Sequence, residues 1–211
     1  LFALQFFWRY EFERLDLEEC EMKKKRLVIG ISGASGAQLG ITILRLLQKE
    51  KLWESHLVLS GGAERTIKLE CGSTIAEVSA LADVVYDAGD IGAAIASGTF
   101  KTAGMIVAPC SMKTLAGIAN GYSENLLLRA ADVTIKERRP LVLLARETPL
   151  SAIHLRNMLT LAQCGAIILP PMISYYQHPE SVDAMTHHVA AKALDCFGIE
   201  MDGYCRWNGA S

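Results

Sequence analysis

A doubly wound parallel sheet between two layers of helices is predicted by three observations on this 211-residue chain. Short runs rich in apolar residues recur (Leu27–Ile31, His56–Ser60, Met105–Ala108, Leu141–Ala145 and Ala166–Leu169), and helix-period segments separate them. Strands alternating with helices need crossover connections, which make neighbouring strands parallel. The stretch Arg26–Gly40, RLVIGISGASGAQLG, passes from one such run through Gly30, Gly33 and Gly36 directly into a helical segment. Glycines there let backbone approach a phosphate, and the first turn of the helix offers free N–H donors. Hydroxyl and charged residues also stand where the runs end: Ser35, Ser60, Ser111–Thr114, Arg146-Glu147 and the loop of Tyr175 and Tyr176. In a doubly wound sheet those ends form one rim, where ligands gather.

Taken in order, the first strand leads to a helix over Leu39–Leu47, and the second to a helix from about Gly62 to Cys71. Ile75–Leu81 reads as a short helix and Asp83–Tyr86 as a short strand. Gly89–Gly98, rich in Gly, Ala and Ser, reads as a tightly packed helix and loop. Met105–Ala108 runs into Pro109-Cys110-Ser111-Met112-Lys113-Thr114 and a helix through Ala119, a second strand-to-helix loop of phosphate-binding type. Asn125–Lys136 is helical and Leu141–Ala145 a buried strand. Pro149 opens a helix from Ser151 to about Gln163, which Gly165 ends. A last strand, Ala166–Leu169, is closed by Pro170-Pro171. A loop with Tyr175 and Tyr176 follows, then a helix from about Ser181 to Phe197. The whole reads as a Rossmann-like, flavodoxin-like fold of three α/β/α layers, with 22–211 as one domain.

Composition narrows the function classes. The net charge of −2 combines −4 in residues 1–21 with +2 in the remainder, and neither suits a nucleic-acid surface. Six scattered cysteines without a CxxC pair argue against zinc or disulfide frameworks and for reduced thiols in a cytosol. No apolar run approaches the ~18 residues needed to span a membrane. Residues 1–21 lack the basic start and small-residue cleavage site of a targeting segment. They are read as an appendage, a translated leader ahead of Met22; the rival is an amphipathic helix that packs on a neighbouring subunit. After the second strand, Ser60 stands where a dinucleotide site would carry an acid for the ribose. That disfavours NAD and favours a mononucleotide phosphate or a flavin.

Four stretches in order, GISGASGAQLG, PCSMKTLAGIANGY, RAADVTIKERRPLVLLARETPLSAIHLRNML and PPMISYYQHPESVD, resemble the UbiX-type flavin prenyltransferases. That family was known earlier as phenylacrylic acid or 3-octaprenyl-4-hydroxybenzoate carboxy-lyases. The resemblance covers about Lys25–Trp207. It implies a cytosolic, metal-independent enzyme that joins a dimethylallyl unit, from dimethylallyl monophosphate, to N5 and C6 of reduced FMN. The product, prenylated FMN, would serve a UbiD-type decarboxylase. It also implies a homododecamer with sites formed where subunits meet. Carried over by motif, Gly33, Ala34, Ser35 and Ser60 would bind FMN, together with Ser111, Met112, Lys113, Thr114 and Arg146. Arg129, Lys136, Arg146, Tyr176 and Lys192 would hold the donor phosphate, with Trp207 near the active site. Ser35, Glu70 and Glu147 match positions given to proton handling, and Lys136 counts among the catalytic groups. Lys192 replaces an arginine of some relatives, which keeps the charge but loses the fork.

The chemistry suits these residue types. Ionising an allylic monophosphate without Mg²⁺ needs cationic side chains around the departing phosphate. Each assignment has a plainer rival. Lys136–Arg139 could be a solvated helix end, Glu70 a surface carboxylate, Ser60 a strand-end cap and Tyr175-Tyr176 packing aromatics. Cys110 lacks an accompanying histidine motif and reads as inert. His187 and His188, ~100° apart on a helix, suit no shared metal. Two other functions compete: an FMN-dependent decarboxylase of the cysteine-decarboxylase type, and a non-catalytic flavin carrier. The former would need a catalytic histidine after an early helix and an Asn-rich PxMNxxMW-like loop where PCSMKT stands.

Overall fold

The computed structural model describes residues 24–204, 206, 207 and 209, so the reading of residues 1–21 lies outside the described residues. Six parallel strands, β1 (Lys25–Ile31), β2 (Trp53–Leu59), β3 (Val84–Tyr86), β4 (Gly104–Cys110), β5 (Leu141–Ala145) and β6 (Ile167–Ile168), form one sheet in the order β3-β2-β1-β4-β5-β6. The helices are α1 (Ala37–Leu47), α2 (Gly61–Glu70), α3 (Ile75–Ser79), α4 (Met112–Ala119), α5 (Leu126–Lys136), α6 (Ala152–Gln163) and α7 (Val182–Asp195).

Side chains alternate across the pleat, so each strand feeds both layers. Leu27, Ile29, Leu57, Ile106 and Leu144 pack on one face with Ile41 and Leu44 of α1 and Ala190 and Leu194 of α7. Val28, Val58, Met105, Val107 and Leu143 pack on the other with Leu115 of α4, Leu127 of α5 and Leu161 of α6. Strands covered on both faces read as near-continuous apolar runs, which is why the sequence announces them.

The order of the strands reverses between β1 and β4, and a crevice opens at such a point. Ser32, fully buried, closes its floor: its Oγ donates to Pro109 O at 2.7 Å and accepts from Ser111 N at 2.7 Å. The glycine loop and the second loop are thus tied together by one hydroxyl. Ser32→Ala is expected to strand the Ser111 N–H, while Pro109 O keeps the Ser32 N–H at 3.2 Å, and to cost ~1–3 kcal/mol, measurable as a lower urea midpoint.

Two expectations change. Gly89–Gly98 holds no α-helix, only a 3₁₀ turn at Ala94–Ala96. Asp87 and Asp90 side chains accept from the N–H groups of Gly89 and Gly92, and such Asx turns compete with helix. The last strand shrinks to Ile167–Ile168 at the sheet edge, just ahead of Pro170-Pro171.

Candidate functional site

The glycine loop is built on close backbone contact. A Cβ on Gly33 would stand 2.9 Å from Gly62 Cα, so the β1–α1 loop and the start of α2 pass backbone to backbone. Thr66 Oγ1 adds a hydrogen bond to Gly33 O at 3.3 Å. Gly36, at φ +99°, then turns the chain into α1.

Two of the N–H donors at the N-terminus of α1 are already taken by a carboxylate, which corrects the expectation from sequence. Gly36 N donates to Glu70 Oε2 at 2.7 Å, and Ala37 N and the Ser35 hydroxyl also bond the same carboxylate. Glu70, the last residue of α2, fills this positive helix end. Burial pushes its carboxyl up, but the bonds from Ser35, Gly36 and Ala37 and the charge of Arg146 outweigh it and hold it below the ordinary value. A lowered carboxyl contributes stability above its unfolded pKa and loses it as pH falls through the folded one. The stability gap between the parent and Glu70→Gln is therefore expected to be full near pH 7 and to close as pH falls below 4.5. Urea midpoints at about pH 7 and pH 3 measure it.

The other two loops keep their helix ends open. Ser60 caps α2 by accepting from Ala63 N at 3.2 Å, and Ser111 caps α4 by accepting from Thr114 N at 3.3 Å. Each cap satisfies one donor, while the first N–H groups of either helix have no acceptor within it. Ser111 Oγ also donates to Thr114 Oγ1 at 3.1 Å. Met112 and Thr114 are buried; Lys113 is exposed and reaches Glu124 only at 4.0 Å. Arg146 and Glu147 follow β5, exposed; Arg146 N donates to Cys110 O, and Glu147 Oε1 accepts from Thr148 N at 3.0 Å. Cys110 is fully buried and burial pushes its thiol far up, so it is inert.

The remaining cations do not join this rim. α5 starts beside Ala88, just past the end of β3, and Lys136 ends it just before β5 begins, at the foot of the sheet. There Lys136 pairs with Glu137 and its Nζ lies beside Gly98. Arg129, two turns earlier on the same face, donates to Ala96 O and to Asp132 at 2.7 Å. Arg139 holds the 98–102 loop through Gly98 O, Phe100 O and Thr102, a structural role.

Tyr176 and Trp207 form a third group with Lys192 nearby on α7, so the tyrosine loop does not join the rim where the sequence expected it. Tyr176 meets Trp207 edge to face at 5.4 Å, and Lys192 donates to Asp195 at 3.1 Å. Both aromatics wall a groove of about 550 Å³ between the 174–181 loop, α7 and the C-terminal segment. Glycine-loop residues take no part in its walls among the described residues. His187 and His188 point to separate partners, Asp202 O and Ser174 Oγ. Among the described residues no cluster of three His, Cys, Asp or Glu side chains could hold a metal, and no helix is long and apolar enough to cross a membrane.

Sequence reasoning saw Ser32 only as a hydroxyl on the glycine loop, without its partners, and missed Asp195 and Arg206. For Asp195 a local signal existed, the i,i+3 spacing from Lys192; for Ser32, whose partners lie 77 and 79 residues away, there was none.

A family model described as Flavoprotein matches residues 16–193. The chain is 50% identical over 188 residues to flavin prenyltransferase UbiX of Escherichia coli (strain K12), covering 88% of this chain and all of that one. Among solved structures it is similar to a dodecameric FMN-dependent UbiX-like decarboxylase from Escherichia coli O157:H7, at TM-score 0.86 and 51% identity over 87% of this chain and all of that one. It is likewise similar to AnUbiX (PadA1) in complex with FMN and dimethylallyl pyrophosphate, at TM-score 0.87 and 46% identity over 90% of this chain and all of that one. With half its residues identical across nearly its whole described length, and a sheet that superposes on theirs, this chain belongs to the UbiX-like flavin prenyltransferases of the Flavoprotein family.

Proposed function

We propose that this protein transfers a dimethylallyl group from dimethylallyl monophosphate to N5 and C6 of reduced FMN, giving prenylated FMN for a UbiD-type decarboxylase. The observation that carries it is the Ser35–Glu70–Arg146 cluster beside the glycine loop, in a chain of this family. A resting flavin carrier has no use for a hydroxyl held on a carboxylate that also feels a guanidinium.

The residues present suit FMN. The Gly33–Gly62 contact leaves a backbone cradle that any side chain would fill. The open ends of α2 and α4, with Ser60, Ser111, Thr114 and Arg146, supply donors for a phosphate monoester and a polar ring edge. The phosphate would sit at those ends, since Glu70 already fills the end of α1. Gly33, Ala34, Ser35, Met112 and Lys113 complete the binding set. Bound reduced FMN supplies the electron-rich N5 and C6 that accept the prenyl carbon.

The chain's own groups do the rest. Ser35 Oγ, held by Glu70, is placed to pass a proton at the flavin, and Glu147 to receive or return one near the donor. Arg146 anchors the rim side of the donor phosphate. Arg129 and Lys136 lie at the foot of the sheet, Tyr176 and Trp207 wall the α7 groove, and Lys192 stands on α7 paired with Asp195. In this reading those residues complete the site of an adjacent copy, within a homo-oligomer of dodecamer type. Exposed apolar side chains on α6, Ile153, Leu155 and Leu159, and Met172 beyond β6, support such packing. Each cation near the leaving phosphate is worth about 4 kcal/mol at ~4 Å and an effective dielectric of ~20, before its own desolvation. The cysteine-decarboxylase reading fares worse. The first histidine after α1 is His56, 2% exposed within β2, with Nδ1 on the Tyr86 hydroxyl at 2.9 Å.

The test is anaerobic. Protein mixed with reduced FMN and dimethylallyl monophosphate is expected to yield an extracted flavin heavier by one C5H8 unit. An unchanged FMN mass from folded, flavin-loaded protein overturns the proposal.

A further inference from the structure

After α7, the described residues 199–204, 206 and 207 lie back against that helix and bring Trp207 to Tyr176. The base of this segment is anchored on that helix by Ile199, whose N–H donates to Leu194 O at 3.3 Å and whose side chain, with Met201, joins the core; beyond them three further fastenings stand among the described residues. His187 bonds Asp202 O at 2.9 Å, His188 packs on the Tyr204 ring at 5.1 Å, and Arg206 reaches Asp195. Only the last is an ion pair. Glu200, the other carboxylate near Arg206, lies 3.7 Å away but on the same segment, so it cannot tie the segment to α7. Arg206 also stands over the Tyr204 ring at 5.5 Å, which fixes its guanidinium on the helix side.

Asp195 serves two cations at once. Its Oδ2 accepts from Lys192 Nζ at 3.1 Å and its Oδ1 from Arg206 Nη2. The Asp195 side chain is 14% exposed, against 51% for Lys192 and 52% for Arg206, so the carboxylate is roofed by its two partners. Removing the negative charge would leave two like charges facing each other, and the one on the segment is free to leave. Trp207, one residue along, would leave with it.

We propose that Asp195 is a positioning residue: through Arg206 it sets Trp207 against Tyr176, and through its other oxygen it aims Lys192, so one carboxylate aligns three residues that face the prenyl donor. The inference rests on the reading above for what those three residues bind; the tether itself does not. The groove wall formed by Tyr176, Arg206 and Trp207 stands only while the segment is fastened. A donor phosphate would then meet a preorganised amine and phenol rather than two mobile side chains.

Two readouts test this on the full chain. Acrylamide quenching of Trp207, isolated by subtracting the Trp207→Phe protein, is expected to rise about twofold in Asp195→Asn, because the indole loses its ring contact. In the flavin assay the same variant is expected to raise KM for dimethylallyl monophosphate about fivefold to tenfold and to lower kcat by up to about tenfold, with FMN titration unchanged. Arg206→Gln should reproduce the quenching change, the double variant should add nothing to it, and Asp195→Glu should restore at least half. Unchanged quenching in Asp195→Asn, additive effects of the two substitutions, or a loss in kcat alone would overturn the proposal. If the parent protein makes no heavier flavin, the prenyltransferase reading falls, and the quenching series still decides the tether.

Discussion

Lys136→Ala is expected to lower prenylated-flavin formation by roughly 10²- to 10³-fold, the usual loss when one donor to a developing charge is removed, while FMN binds as before. Glu70→Gln is expected to slow the reaction for a different reason, by releasing Ser35. The two positions lie far apart in one chain. Lys136 ends the 11-residue α5 at the foot of the sheet, about 16 Å along the helix axis from its start near the rim. Sites built from two copies therefore make a sharp prediction. When the two variants are dissociated, mixed in equal amounts and reassembled, ~1/4 of the sites receive an intact rim from one copy and an intact lysine from another. Activity of the mixture is expected to recover to about that fraction of the parent. A mixture as slow as its components would show that Lys136 acts only within its own chain, or not at all.

Gly40→Ala carries the largest expected effect on stability. On propensity alone the change would stabilise a helix interior by about 1 kcal/mol. Here the added Cβ would stand 2.4 Å from Ala108 O and 2.7 Å from Ile31 Cδ1, where α1 lies directly on β4 and β1. One contact is with backbone of a central strand, which cannot yield without moving Pro109 and the second loop. The clash wins, for a net loss of ~2–3 kcal/mol. The urea midpoint should fall, and FMN affinity with it, since α1 and the α4 cap are displaced together. A more stable protein would show that the α1–β4 contact relaxes at little cost.

Much of the fold is legible in the chain because its signals are local. A strand buried on both faces announces itself as an apolar run, and caps such as Ser60, Ser111, Asn125, Ser151 and Ser181 sit three residues before the N–H they accept. The Gly89–Gly98 stretch misleads for the same reason: its small residues suit a packed helix, but Asp87 and Asp90 take the N–H groups first. The site is legible as a set of residue types rather than as a place. Ser60 is both the strand-end cap of the plainer reading and a donor at the rim, so the two descriptions do not exclude each other.

By itself the sequence determined the alternation of strands and helices, the rim where the loops collect and, through four ordered motifs, the family. Only the tertiary structure decided what the glycine loop holds. Glu70, 34 residues from Gly36, occupies the helix end that a phosphate would have been expected to take. It likewise decided that Ser32 and Ser111 close one crevice and that Lys136 stands at the opposite end of the sheet from Ser35. Such contacts depend on strand order and on the direction in which each helix returns. A parallel sheet sets both through packing between distant segments, beyond the reach of any local pattern.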